Sequence, residues 1–179
     1  MLNLILIGLP AVVIVFLLIV ASRPSDFRIS RSAAIAAPPA VVFEHVNDLH
    51  KWNAWSPWAR MDPNAKNTFD GPPAGVGASF AWAGNSKVGE GRMTITETQP
   101  NEQVLIKLEF IKPFVATHGV EFTFKPEGDR TAVTWSMSGR NSFIGKAIGL
   151  VMNCDKMIGG QYEQGLANLK TVVESPALV

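Results

Sequence analysis

No ionisable side chain precedes Arg23, and Leu4 to Ala21 is an almost unbroken run of Leu, Ile, Val, Ala and Phe. At about 1.5 Å per residue, a helix over this stretch matches the roughly 30 Å hydrocarbon layer of a bilayer. Pro10 would kink a helix in water but is tolerated inside a membrane. Residues 1–23 therefore read as a single transmembrane anchor. A cleaved signal peptide is the alternative, since Val20-Ala21-Ser22 offers a small-residue exit. Against it, no Lys or Arg comes before the apolar run, and the run exceeds the roughly 7–15 residues of a signal-peptide core. Arg23, Arg28 and Arg31 follow the span, so the positive-inside rule expects the rest of the chain on the cytoplasmic side.

The remainder is a different physical object. All 16 Lys+Arg and 15 Asp+Glu lie after the apolar run, at a density ordinary for a soluble domain. Residues 24–179 have the length of one such domain. A net charge of +1 supplies no general attraction for nucleic acid. The single cysteine, Cys154, excludes an intramolecular disulfide and a multi-cysteine zinc site, and no other metal or cofactor signature is present. Five Trp and ten Phe are enough to build a core.

Hydrophobic periodicity orders the domain. Phe27, Ile29, Ala33 and Ile35 alternate as a first strand, and Ala37-Pro38-Pro39 ends it. Ala40 to Val46 reads as a short helix with proline near its first turn. Asn47 to Trp58 is aromatic and irregular. Ala78, Phe80 and Trp82 share one face of a strand, and Gly84-Asn85 turns the chain. Met93 and Ile95 continue on the next strand. Val104 to Phe110 gives the clearest two-residue alternation, followed by Val120, Phe122 and Phe124, then Val133, Trp135 and Met137. After Gly139 the period changes. Ile144, Ile148, Val151, Ile158, Tyr162, Leu166, Leu169 and Val173 mark one face of a long helix, with Asn141 or Ser142 as N-cap. Gly145, Gly149, Gly159, Gly160 and Gly165 sit inside that pattern. They cost on the order of 5 kcal/mol of helix propensity, so tertiary packing must hold the helix, and Gly159-Gly160 is a candidate kink. The expected fold is α+β: a curved antiparallel sheet wrapped around one long C-terminal helix, with an apolar cavity between them.

The residues carry a resemblance. Ala36-Ala37-Pro38-Pro39 with Val42-Phe43, Asn47-Asp48, Trp52-x-x-Trp55-Ser56-Pro57-Trp58, Gly89-x-Gly91-x-Met93 and Gly165-Leu166-Ala167-Asn168-Leu169-Lys170 are similar to the polyketide cyclase/dehydrase branch of the START-like (SRPBCC, Bet v 1-like) superfamily. The resemblance spans about residues 27–174 and does not account for the anchor. It implies a helix-grip fold with a deep hydrophobic pocket. Members bind lipids, hormones and polyketides, and only some are catalysts, so the reaction does not follow from the fold.

Candidate site residues follow from parity and chemistry. Trp82, Phe110, Phe122 and Trp135 point to the sheet's inner face, and Met152 reaches it from the helix. Trp52, Trp55 and Trp58 are either an aromatic gate at the pocket mouth, a foot on the membrane interface, or a plug in the core, with the plug favoured for Trp52. His118 shares the parity of Val120, which makes it either a polar handle in the pocket or a water-satisfied histidine near the strand end. His118 and Asp155 are the candidate acid/base groups if the domain is an enzyme such as a cyclase, dehydratase or hydrolase, although Asp155 lies one residue past the apolar stripe and reads first as an exposed or salt-bridged carboxylate. His45 and His50 do not share a helical face, and Asp48 reads as a turn cap. Cys154 has no visible base beside it and reads as a small hydrophobe. The leading expectation is a membrane-anchored binder of a hydrophobic small molecule or lipid. The alternatives are such an enzyme or a protein-interaction module.

Overall fold

The computed structural model of the chain describes residues 2–175, with side chains from residue 10 onward except residue 11. The chain opens with helix α1 (Leu2–Ser22). Much of the expected span of residues 1–23 rests on side chains outside the described residues. Among the described residues no helix is long and apolar enough to cross a membrane.

Strand β1 (Asp26–Ile35) follows, then α2 (Pro39–Asn47), which opens on a proline and buries Val42 and Val46. The aromatic stretch folds into a 3-10 turn, the single-turn α3 (Trp52–Trp55) and a second 3-10 turn over Pro57–Arg60. Six strands follow: β2 (Lys66–Asp70), β3 (Ser79–Ala83), β4 (Glu90–Gln99), β5 (Gln103–Lys112), β6 (Ala116–Glu127) and β7 (Arg130–Arg140). Together with β1 they make one antiparallel seven-stranded sheet in the order β1-β7-β6-β5-β4-β3-β2. Two helices close the chain, α4 (Phe143–Val151) and α5 (Cys154–Glu174). A curved antiparallel sheet gripping a C-terminal helix is the expected α+β architecture.

One strand goes unannounced in the sequence, and one expectation needs correction. Strand β2 has no apolar alternation to announce it, because its sequence Lys-Asn-Thr-Phe-Asp belongs to an exposed edge strand paired only with β3. The C-terminal helix is also not continuous. It breaks at Met152 and Asn153, where the Asn153 side chain accepts the Lys156 N–H and caps a new helix. Ser142 caps α4 in the same way through the Gly145 N–H. Gly159-Gly160 lies inside α5, and the chain does not break there.

Alternation sets the core. Ile29 and Ile35 of β1, Val120, Phe122 and Phe124 of β6, and Val133, Trp135 and Met137 of β7 are all buried on one face. Leu166 and Leu169 of α5 press onto them.

Helix α5 is pinned along β1 rather than across the middle of the sheet. The Arg31 guanidinium donates to Asp155 at 3.0 Å and to Glu163 at 2.7 Å. Lys170 donates to the Ala34 carbonyl, and the Glu174 carboxylate accepts the Ala36 N–H. Gly159 lies directly under Arg31, because a Cβ there would collide with the guanidinium. The helix therefore covers the β1–β7 side and leaves the inner face of β3, β4 and β5 to be roofed by the aromatic stretch.

Candidate functional site

That incomplete cover leaves a cavity of about 500 Å³. Its walls come from Phe80 and Trp82 on β3, Met93 on β4, Leu108 and Phe110 on β5, and Val120 on β6. Trp135 and Met137 on β7 and Ile158 and Tyr162 on α5 complete them, with Trp52 and Trp58 as the roof. The polar groups are few and lie toward the rim: Asn53, Ser56, Asp62 and Asn67. Asp62 is committed to its own loop, accepting the Asn64 N–H at 3.1 Å and the Asn85 N–H at 2.7 Å. The Tyr162 hydroxyl has no hydrogen-bond partner among the described residues, and burial holds its pKa well above the ordinary phenol value, so it stays protonated. An apolar chamber with sparse polar groups desolvates an apolar guest and leaves orientation to a hydroxyl and a few rim amides.

Trp135 organises the floor. Its indole stacks on Tyr162 at 4.0 Å between centroids with planes 10° apart, and on Phe122 at 4.8 Å. Trp52, Trp55 and Trp58 meet it edge-to-face at 6.0, 5.6 and 5.8 Å. Its Nε1–H is buried with no hydrogen-bond acceptor among the described residues. Trp52 and Trp55 are fixed by donating their own indole N–H groups to the Val46 and His45 carbonyls. Glycines make room for these large groups. A Cβ on Gly165 would stand 2.7 Å from the Trp135 ring, and a Cβ on Gly91 would strike Trp82. Gly89 adopts φ +65°, with the Lys112 carbonyl where a side chain would go, so the Gly89-x-Gly91 spacing is a backbone and packing requirement.

The structure separates the expected site residues. Trp58, Trp82, Phe110 and Trp135 line the cavity. Trp55 and Phe122 are fully buried beneath the aromatic cluster and act as its support. Met152 is exposed at the end of α4, away from the cavity, because the helix breaks there. Asp155 also lies outside it: its exposed carboxylate is held by Arg31, which keeps it below the usual carboxylate range. His118 does face inward, over Gly139, with its ring edge-to-face with Phe27 at 5.1 Å and with Phe110 at 5.9 Å. It stands behind Phe110 and does not line the cavity. Burial pushes its pKa down against a smaller opposing effect of the Thr117 backbone, and its Nδ1 has no partner.

His45 and His50 serve the fold, the first bonded to the Val41 carbonyl and the second to Asp48 and stacked on Phe69. Asp48 caps the 3-10 turn by accepting the His50 N–H. Cys154 is unpaired and half-buried at the start of α5. The site residues missed from sequence are Phe80, Met93, Met137 and above all Tyr162. The signals were the parity Phe80 shares with Trp82 and Tyr162's place as the sole tyrosine on the apolar helix face.

A family model described as "Polyketide cyclase / dehydrase and lipid transport" matches residues 26–174. No curated protein matches the sequence. Among solved structures, a solution structure from Thermobifida fusca is 21% identical with a TM-score of 0.62, over 82% of this chain and 92% of that one. The Aha1 dimer from Colwellia psychrerythraea is 16% identical with a TM-score of 0.58, over 83% and 96%. The di-domain ARO/CYC BexL from the BE-7585A biosynthetic pathway is 15% identical with a TM-score of 0.61, over 88% of this chain and 53% of that one. At these identities the likeness is one of fold.

Proposed function

The chain belongs to the polyketide cyclase/dehydrase and lipid transport family, and from that premise we propose that it binds a hydrophobic small molecule or lipid and holds it near a membrane. The apolar cavity of about 500 Å³ beneath Trp58 and Tyr162 carries this reading. Burying the guest's apolar surface, at roughly 25 cal/mol per Å², is the driving force. The Tyr162 hydroxyl and the rim amides of Asn53 and Asn67 set its orientation. The uncharged segment ahead of Arg23 is the anchor, and Arg23 beside it favours a cytoplasmic domain.

Binding is favoured over turnover by where the titratable groups stand. Asp155 is tied to Arg31 on the surface, and His118 is screened from the cavity by Phe110. Four of the five tryptophans, Trp52, Trp58, Trp82 and Trp135, line the chamber, so the chain contains its own reporter. Titrating the detergent-solubilised full chain with an apolar naphthylamine dye should quench tryptophan emission saturably at one dye per chain. Lipid extract should displace the dye, and native mass spectrometry should identify what replaces it. Failure of dye, lipid and aromatic panels alike to bind would overturn the reading.

A further inference from the structure

The strand register gathers several elements at one end of the sheet. Asp26 pairs with Arg140, so β1 begins where β7 ends. The β5–β6 turn follows the Phe110–Ala116 pair at that same end. Helix α1 enters there and α4 leaves there, and the Asn141 N–H donates to the Ser25 carbonyl between them. This end is unusually apolar on its surface. Phe114 and Val115 at the β5–β6 turn are 63% and 86% exposed, with Ile111 beside them. Helix α4, Phe-Ile-Gly-Lys-Ala-Ile-Gly-Leu-Val, buries no residue, and it exposes Phe143, Ile144 and Val151. Its only charge, Lys146, turns back to donate to the Ala21 and Arg23 carbonyls at the end of α1.

Charge is distributed to match. Arg23, Lys87 and Lys156 surround this end without a carboxylate partner among the described residues, while Glu90 and Asp26 there are paired with Lys112 and Arg140, and the turns at the opposite end carry Glu102, Glu127 and Asp129. A helix apolar but for one lysine with nothing buried, a protruding apolar turn and a basic surround is the composition of a surface that lies in a bilayer interface. The covalent link to the uncharged α1 identifies what covers it.

We propose that this end of the domain, with Phe114–Val115 and α4 as its contact elements, seats in the membrane interface and brings the cavity wall formed by Trp82 and Phe110 against the lipid. The inference rests on the anchor in the function proposed above. The test uses the full chain in a Cys154→Ser background, carrying a nitrobenzoxadiazole label at Val115→Cys, Val151→Cys or, as control, Asp129→Cys. It is reconstituted in phosphatidylcholine vesicles with a minority of phosphatidylglycerol. Labels at 115 and 151 should shift to the blue and lose about half their emission to lipid-borne spin label, as expected for burial at the headgroup–acyl boundary, while that at 129 should not. If the chain floats with the vesicles but all three labels stay in water, the seating is overturned and the anchor stands. If the chain does not float, both are overturned. Dye binding in the cavity, measured in the same preparations, reports on the pocket independently of either outcome.

Discussion

Gly165 lies against the Trp135 indole, so close that a Cβ would stand 2.7 Å from Cζ3 and 3.1 Å from the Pro57 ring. This contact lets α5 lie on the aromatic floor of the cavity. Neither neighbour is the free end of a flexible chain, so an added methyl must move the floor itself. Overpacking of this kind costs about 1–3 kcal/mol, against a gain of about 1 kcal/mol in helix propensity. Gly165→Ala should lower stability and weaken ligand binding. Gly160, in the same helix, has nothing within 4 Å of its would-be Cβ, and Gly160→Ala should raise stability by about 0.5–1 kcal/mol. Denaturant midpoints of the two variants should therefore move in opposite directions.

Filling the chamber should weaken binding without unfolding the domain. Ala59 lines the cavity from the half-exposed 3-10 turn. Ala59→Phe projects a ring into the cavity while leaving the buried cluster around Trp135 in place. Dye affinity should fall by about an order of magnitude, the equivalent of losing roughly 1.4 kcal/mol. An unchanged far-ultraviolet circular dichroism spectrum and unfolding midpoint would show that the effect is local.

His118 should make the fold sensitive to mild acid. Its folded pKa lies below the ordinary histidine value because burial disfavours the imidazolium. The folded state prefers the neutral ring, so the unfolded chain takes up the proton first as pH falls. Stability is complete above the ordinary value, near 6.5, and is lost as pH drops from there through the lowered folded value. In His118→Leu the fall in denaturant midpoint between pH 7.5 and pH 5 should be shallower, and dye affinity at pH 7.5 should be retained, because the ring does not line the cavity.

Arg31 should matter for where α5 lies more than for whether it forms. Its ion pairs to Asp155 and Glu163 are exposed, while its guanidinium fills the space above Gly159. Arg31→Met should accelerate amide hydrogen exchange over residues 155–163 and leave residues 166–172, held by buried Leu166 and Leu169, close to wild type. High salt should mimic part of the effect in the parent chain and none in the variant.

The residues that alternate strictly made most of this fold legible in advance. Val104–Phe110 and Val120–Phe124 have one buried and one wetter face, and Val133–Met137 alternates apolar and polar side chains although Ser136 is itself buried, so these strands write their period into the chain. Lys66–Asp70 has two wet faces and wrote nothing. The break at Met152 was hidden because Ile148, Val151 and Ile158 keep a helical spacing across it. Periodicity reports a face but not the capping bond that Asn153 makes to Lys156. Parity turned Trp82, Phe110 and Trp135 inward, and they line the cavity. It misjudged Phe122 because facing inward does not distinguish a wall from the packing behind it. Asp155 reads from sequence as an exposed or salt-bridged carboxylate, but not with which partner, because Arg31 lies 124 residues away, where no local pattern could show it.

The position of β1 bears on how the protein is made. This first strand bonds only to β7, the last one, with Asp26 opposite Arg140. On the ribosome it emerges directly behind the apolar leading segment and waits, both edges unsatisfied, until every other strand has been synthesised. Long-range pairing of this kind is slow and leaves an adhesive ribbon open to neighbouring chains. Biogenesis, rather than the finished molecule, is where this architecture is most vulnerable to sticking to itself.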